Sequence, residues 1–149
     1  QAAAATFSST PTVYSNTFGA TVFYTLDSSM GTGNLDTSII RWYCASMADA
    51  PESEWTYIRQ DQLNEKDNKK PGAVVRYSFV PTAPQHFNTY IKAKVTPIIN
   101  AITYNEVTAT NNSTYKIIKR NGISLEATDI NSNTGATLNI EYPQDCILK

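Results

Sequence analysis

Thr89-Tyr90-Ile91-Lys92-Ala93-Lys94-Val95-Thr96 is the stretch that decides the fold. In an extended chain Ile91, Ala93 and Val95 fall on one side and Lys92 and Lys94 on the other, whereas a helix would scatter the lysines around its circumference. Pro97 ends the segment. Upstream, Ala73 to Val80 repeats the pattern, with Val75, Tyr77 and Phe79 on one face and Arg76 and Ser78 opposite. Ile39 to Ala45 sets Ile40, Trp42 and Cys44 against Arg41 and Tyr43, and Ala20 to Leu26 sets Ala20, Val22, Tyr24 and Leu26 against Thr21 and Thr25. Between these runs lie turn-forming stretches: Ser28 to Asn34, and Asn64 to Lys70 closing with Pro71-Gly72. Ile102 to Val107 reads as a weaker strand before the polar break Asn111-Asn112-Ser113. Glu54 to Arg59 reads as a strand of two-sided character, though Ser53 to Leu63 competes as a helix. Parallel α/β folds need crossover helices, and no other window supplies one. Successive half-buried strands joined by turns imply an all-β protein in which two antiparallel sheets stack.

Composition agrees. Nine Tyr among 149 residues, with abundant Thr, Ser and Asn, suit pleated surfaces joined by polar turns. The formal net charge of -1 supplies no long-range attraction to nucleic acid or anionic lipid. No apolar run approaches the roughly 20 residues of a spanning helix, so no membrane insertion is expected. Gln1-Ala2-Ala3-Ala4-Ala5 fits a terminus exposed by signal cleavage or an arbitrary boundary. Cys44 and Cys146 are the two cysteines. A bridge between them would enclose most of the chain and stabilise it by about 4–5 kcal/mol. Two separate thiols fit the sequence as well.

Residues 111–149 read as an addition to a sandwich over 1–110. Tyr115 to Ile118 and Ile123 to Ala127 flank Asn121-Gly122, the preferred two-residue hairpin turn. Leu138, Ile140 and Tyr142 alternate in one more strand. Because an isolated hairpin is marginal in water, this β extension is expected to pack on the sandwich or on a partner.

Ile39-Ile40-Arg41-Trp42-Tyr43, then Tyr77 to Ala83, then Tyr90-Ile91-Lys92-Ala93-Lys94-Val95-Thr96-Pro97, resembles bacterial immunoglobulin-like domains of the invasin and intimin type. The resemblance covers Phe18 to Val107. It implies an immunoglobulin-like antiparallel sandwich with Trp42 at its centre. It further implies an adhesin-like, virulence-related protein, secreted or held at the bacterial cell surface. Its partner would be another secreted or outer-membrane protein, or a host surface protein. A narrower similarity is to the secreted immunoglobulin-like proteins of the enterobacterial Zir system, which act by protein association. One departure is that Tyr24 and Ala93 occupy inward positions where vertebrate immunoglobulin domains carry cysteines.

Little in the sequence points to catalysis. His86 is the single histidine, sits in the loop Pro84 to Asn88, and has no nucleophile-elbow motif beside it. One histidine and two distant cysteines do not make a zinc site. Asp129 to Gly135 alternates oxygen side chains like a calcium loop, but its glycine falls one place late and Ile140 stands where the bidentate glutamate belongs. The carboxylate pairs Glu52 with Glu54 and Asp27 with Asp36 invite a glycosidase reading that only spatial separation decides. Lys66 to Lys70 mixes signs in a solvated loop, and Asn111 and Asn112 open overlapping glycosylation sequons. No enzyme activity, cofactor or metal is expected.

Aromatic residues remain. Trp42 alternates with apolar neighbours and reads as core. Trp55 and Tyr57 lie on an expected edge strand, and Trp, Tyr and Arg, here with Arg59, are common anchors of protein interfaces. They form the candidate contact patch, although the same strand also serves simply to cover a sheet edge. The alternative is a carbohydrate-binding module in which Trp55 and Tyr57 stack on sugar rings. A hydrolase built on a sandwich is the remote third reading.

Overall fold

Alternation of bulk along the chain becomes alternation of burial in the folded protein. The computed structural model describes residues 2–35, 37–64, 69–112 and 116–117. Among the described residues the strands are β1 (Phe7–Ser15), β2 (Ala20–Leu26), β3 (Ile39–Ala45), β4 (Thr56–Gln62), β5 (Val74–Phe79), β6 (Tyr90–Thr96), β7 (Ile98–Ile99), β8 (Ile102–Thr103), β9 (Val107–Thr108) and β10 (Thr110–Asn112). A first sheet runs β10-β1-β2-β5, and a second runs β4-β3-β6-β9. The two pack face to face as an all-β sandwich. In β2 every second residue from Ala20 to Leu26 is buried, and β3 and β6 show the same period over Ile40, Trp42, Cys44 and Ile91, Ala93, Val95.

The inner faces meet through Val13, Val22, Tyr24, Leu26, Val75 and Phe79 from one sheet and Ile40, Trp42, Ile91, Ala93 and Val95 from the other. Trp42 is fully buried and stacks on Phe79 with centroids 5.0 Å apart and planes 18° apart. Its indole Nε1 donates to Asp61 Oδ2 at 2.8 Å, so the one polar atom of the ring is satisfied. Burying an aromatic of this size while pairing its N–H is among the strongest single ties between two sheets.

Several segments depart from the sequence expectations. β1 was not foreseen, because Ser8, Ser9, Thr10 and Pro11 show no contrast between faces. Its ladder with β2 is irregular between Phe7 and Thr12, and the proline sits in that irregular part, where no ladder donor is lost. From Thr12 to Tyr14 the same strand pairs in parallel with β10. The helix that competed over Ser53 to Leu63 is absent: a 3₁₀ turn at Glu52–Glu54 leads into strand β4. Ile102 to Val107 is not one strand. Ile102 and Thr103 close a small hairpin with Ile98 and Ile99 through Asn100 and Ala101, both at positive φ as a tight hairpin turn requires.

The boundary expected between 110 and 111 falls within β10. Ile117 is fully buried and donates its N–H to the Thr89 carbonyl at 2.7 Å, while its own carbonyl accepts from Asn88. The sandwich therefore extends at least to 117. The hairpin expected at Asn121-Gly122, the strand from Leu138, and the Asp129 to Gly135 loop lie outside the described residues.

Candidate functional site

Outward residues of the second sheet form rows across its strands. Tyr43 of β3 stands between Tyr57 of β4 and Lys92 of β6, and in the next row Arg41 stands between Gln60 and Lys94. Tyr43 and Tyr57 meet edge to face at 5.6 Å. Lys94 Nζ lies 5.0 Å over the Tyr43 ring, and Lys92 Nζ lies 4.6 Å over the Trp55 ring. Each such contact contributes about 0.5–1 kcal/mol where water has access and more where it has less.

Glu52 fastens this array. Projecting from the 3₁₀ turn after Pro51, it accepts from Lys92 Nζ at Oε1 (3.0 Å) and from Lys94 Nζ at Oε2 (2.8 Å). The two lysine side chains are largely covered, while Glu52 itself stays in water. Hydrogen bonds from Lys94 and then Lys92 hold the Glu52 carboxyl down to about 2, and the same pairing raises the Lys94 ammonium. Beside them Arg41 Nη1 donates to Glu106 Oε2 at 2.8 Å. The result is a nearly flat face of rings and paired charges whose long side chains are already ordered.

The expected trio of Trp55, Tyr57 and Arg59 is not one patch. Between the pairs Trp42–Arg59 and Tyr43–Tyr57, β4 uses one more residue than β3. This bulge changes the parity of the strand. Tyr57 lies on the outer face, half exposed. Arg59 is turned to the inner side, where its guanidinium lies 4.6 Å over the Phe79 ring and its Nε donates to Asp61 Oδ2 at 3.1 Å. Trp55 is 8% exposed, and its Nε1 donates to the Ala50 carbonyl at 2.9 Å. Covered by Lys92, it is a support of the face and offers no ring for a partner or a sugar to stack on.

Tyr43, Glu52, Arg41 and the two lysines were not singled out as a unit by sequence. The signal was present in part: Arg41 and Tyr43, like Lys92 and Lys94, stand two apart on neighbouring strands. Their alignment depends on register, which sequence leaves open.

Other candidate chemistry is dispersed. Glu52 is committed to lysines rather than to Glu54. Asp27 caps a turn by accepting from the Ser29 N–H at 2.8 Å, which holds its carboxyl below the ordinary range. Asp36 lies outside the described residues. His86 borders a hollow of about 160 Å³ with Ile58, Arg59, Phe79 and Thr82, whose walls contain no serine, cysteine or carboxylate among the described residues. No group of three metal-ligating side chains occurs among the described residues. No helix among them is long and apolar enough to cross a membrane. Cys44 is a buried free thiol whose pKa burial pushes up, while Cys146 lies outside the described residues.

A scan against protein-family models finds no match for the chain, and a search of curated proteins finds none either.

Proposed function

We propose that the chain is a protein-binding module of immunoglobulin-like build, secreted or displayed at a bacterial surface, adhesin-like and virulence-related, with no catalytic role. The observation that carries this reading is the outer face of the second sheet. Tyr57 is exposed there on a terminal strand, backed by Tyr43 and by cations that Glu52 and Glu106 hold in place. Ordered side chains lose little entropy on contact, and an exposed Tyr beside fixed charges is a common centre of protein recognition. The strand order supports the immunoglobulin-like part, since β2 and β5 sit in one sheet and β3, β4 and β6 in the other. The cell-surface setting rests on the likeness of the Trp42 and Tyr90–Thr96 strands to invasin-type domains.

The test is a pull-down from the secreted and outer-membrane fractions of the source organism with the intact chain and with Tyr57→Ala. A partner held through this face loses about 2 kcal/mol of binding on truncation, with the fold unchanged. A partner retained equally by both proteins would move the contact elsewhere. Carbohydrate binding keeps Tyr57 but loses the Trp55 half of its platform. Hits on a glycan array that vanish with Tyr57→Ala would replace the protein-binding reading.

A further inference from the structure

β4 and β5 end their respective sheets on the same side of the sandwich, as the contact of Arg59 with Phe79 shows. They are built very differently. β4 carries a bulge and turns the charged Arg59 and Asp61 inward, two devices that discourage another strand from pairing along an edge. β5 has neither. Its register with β2 is regular from Ala20–Phe79 to Thr25–Val74, it contains no proline, and its outward residues are Val74, Arg76 and Ser78. Val74 is 54% exposed and Val80, just beyond the strand, 46%. No described residue pairs with the outer edge of β5.

The strands of this sheet carry charge of one sign, and Asp27, just past the end of β2, is engaged by the Ser29 N–H. None of the four strands of the first sheet contains an aspartate or glutamate. Arg76 rests over the Phe23 ring at 5.1 Å and makes no ion pair among the described residues. Lys69 and Lys70 are exposed where the chain turns into β5 and likewise make no ion pair among the described residues. The chain as a whole holds 13 acidic residues, so their absence from this sheet is a matter of placement and not of supply. Past Arg76, on the same outer face, lies a groove of about 370 Å³ lined by Tyr14, Phe18, Thr21, Phe23, Ser78 and Val80.

We infer that the β5 edge accepts an extended acidic segment of a partner protein, which adds to the first sheet as a further strand. The backbone of β5 supplies the ladder. A carboxylate of the incoming strand faces Arg76, and an apolar side chain two places away, on the same face, enters the groove beside Phe18 and Val80. Main-chain bonds give such an addition its strength, and the alternate side chains give it selectivity. This surface is separate from the Tyr57 face, and either can fail without the other.

The experiment uses the full chain and two synthetic peptides, Thr-Leu-Thr-Glu-Thr-Leu-Thr and the same sequence with lysine in place of glutamate. Leucine on both sides of the charge lets the peptide dock in either direction. Titrations followed by amide chemical shifts should show the glutamate peptide binding about tenfold more tightly than the lysine peptide, with changes running along β5 and β2. Arg76→Glu should reverse the preference, and Arg76→Gln should abolish it without reversing it. Both variants change an exposed side chain, and far-ultraviolet spectra verify their folds. Equal affinity for the two peptides would overturn the inference. So would shifts centred on β4, β9 or β10, no binding at millimolar peptide, or a chain that sediments as a dimer and is made monomeric by Arg76→Glu.

Discussion

On the outer face of the second sheet three cations are matched by Glu52 and Glu106, whereas on the first sheet Arg76 has the Phe23 ring, and the Thr21 and Ser78 hydroxyls pair with each other at 2.9 Å. One face is organised by ion pairs and the other by apolar, hydroxyl and cation–ring contacts. Both cover the same core, so a single sandwich presents two surfaces with different responses to acid and salt. The comparison also separates support from display: Trp55 lies beneath the ion-paired array, while Tyr14 and Val80 stand half exposed on the other face.

Removing the floor common to both faces gives the largest effect. Trp42→Ala deletes the ring stacked on Phe79 and takes one of two donors from the Asp61 carboxylate, leaving it Arg59. Urea unfolding should show a loss of about 3–5 kcal/mol. A near-normal midpoint would mean that the two faces do not share this core. Trp55→Ala acts on the charged face alone and should cost about 2 kcal/mol, since the ring is buried but peripheral. A stability equal to that of the unchanged chain would show that Lys92 and Glu52 hold their positions without it.

Acid distinguishes the faces more finely. The Glu52 carboxyl has a folded-state pKa of about 2, below its ordinary value of 4.5. Its contribution is therefore complete above the ordinary value and disappears as pH falls through the folded one. Glu52→Gln should flatten the fall in stability across that interval, and added salt should shrink the difference between the two proteins. Asp27 titrates in both and cancels. Because Glu52 is solvated, the change is small, and an identical pH profile for the two proteins would show the lysine fork to be energetically idle. Smallest of all, Thr21→Val should shift stability by less than about 0.5 kcal/mol at any pH, because its exposed hydroxyl pair exchanges readily with water. A larger or pH-dependent shift would mean that the first sheet's outer face is more tightly wired than its geometry indicates.

The strands that sequence placed well, β2, β3, β5 and β6, are those in which bulky apolar residues alternate with polar or small ones. There the difference in burial free energy between the two faces is large enough to leave a mark in one strand alone. β1 left none, because serine and threonine are tolerated on either face and Pro11 argues against a strand. The grouping of Trp55, Tyr57 and Arg59 followed residue type on one expected strand, and the bulge in β4 sends Tyr57 and Arg59 to different faces. A bulge arises from the pairing of two strands and from local twist, so neither strand announces it alone. Lys92 and Lys94 were correctly placed outward, yet their partner Glu52 comes from a turn some 40 residues away in sequence. Such a contact follows from the completed tertiary fold. Ile117 belongs to the same class: Tyr115 to Ile118 read as one arm of a hairpin, but the place of Ile117 in the core beside Thr89 follows only from the completed fold.

The parallel pairing of β1 with β10 sets how the domain bears tension. Because Thr12, Val13 and Tyr14 run in the same direction as Thr110, Asn111 and Asn112, a pull on the chain ahead of β1 and beyond β10 draws the two strands past each other lengthwise. Once the Ile117 anchor yields, the bonds of that short ladder are loaded together in shear, and they break as a set instead of unzipping in turn. After that anchor, a chain tethered at both ends would next resist stretching at this clasp, with the other described strands shielded until it slips.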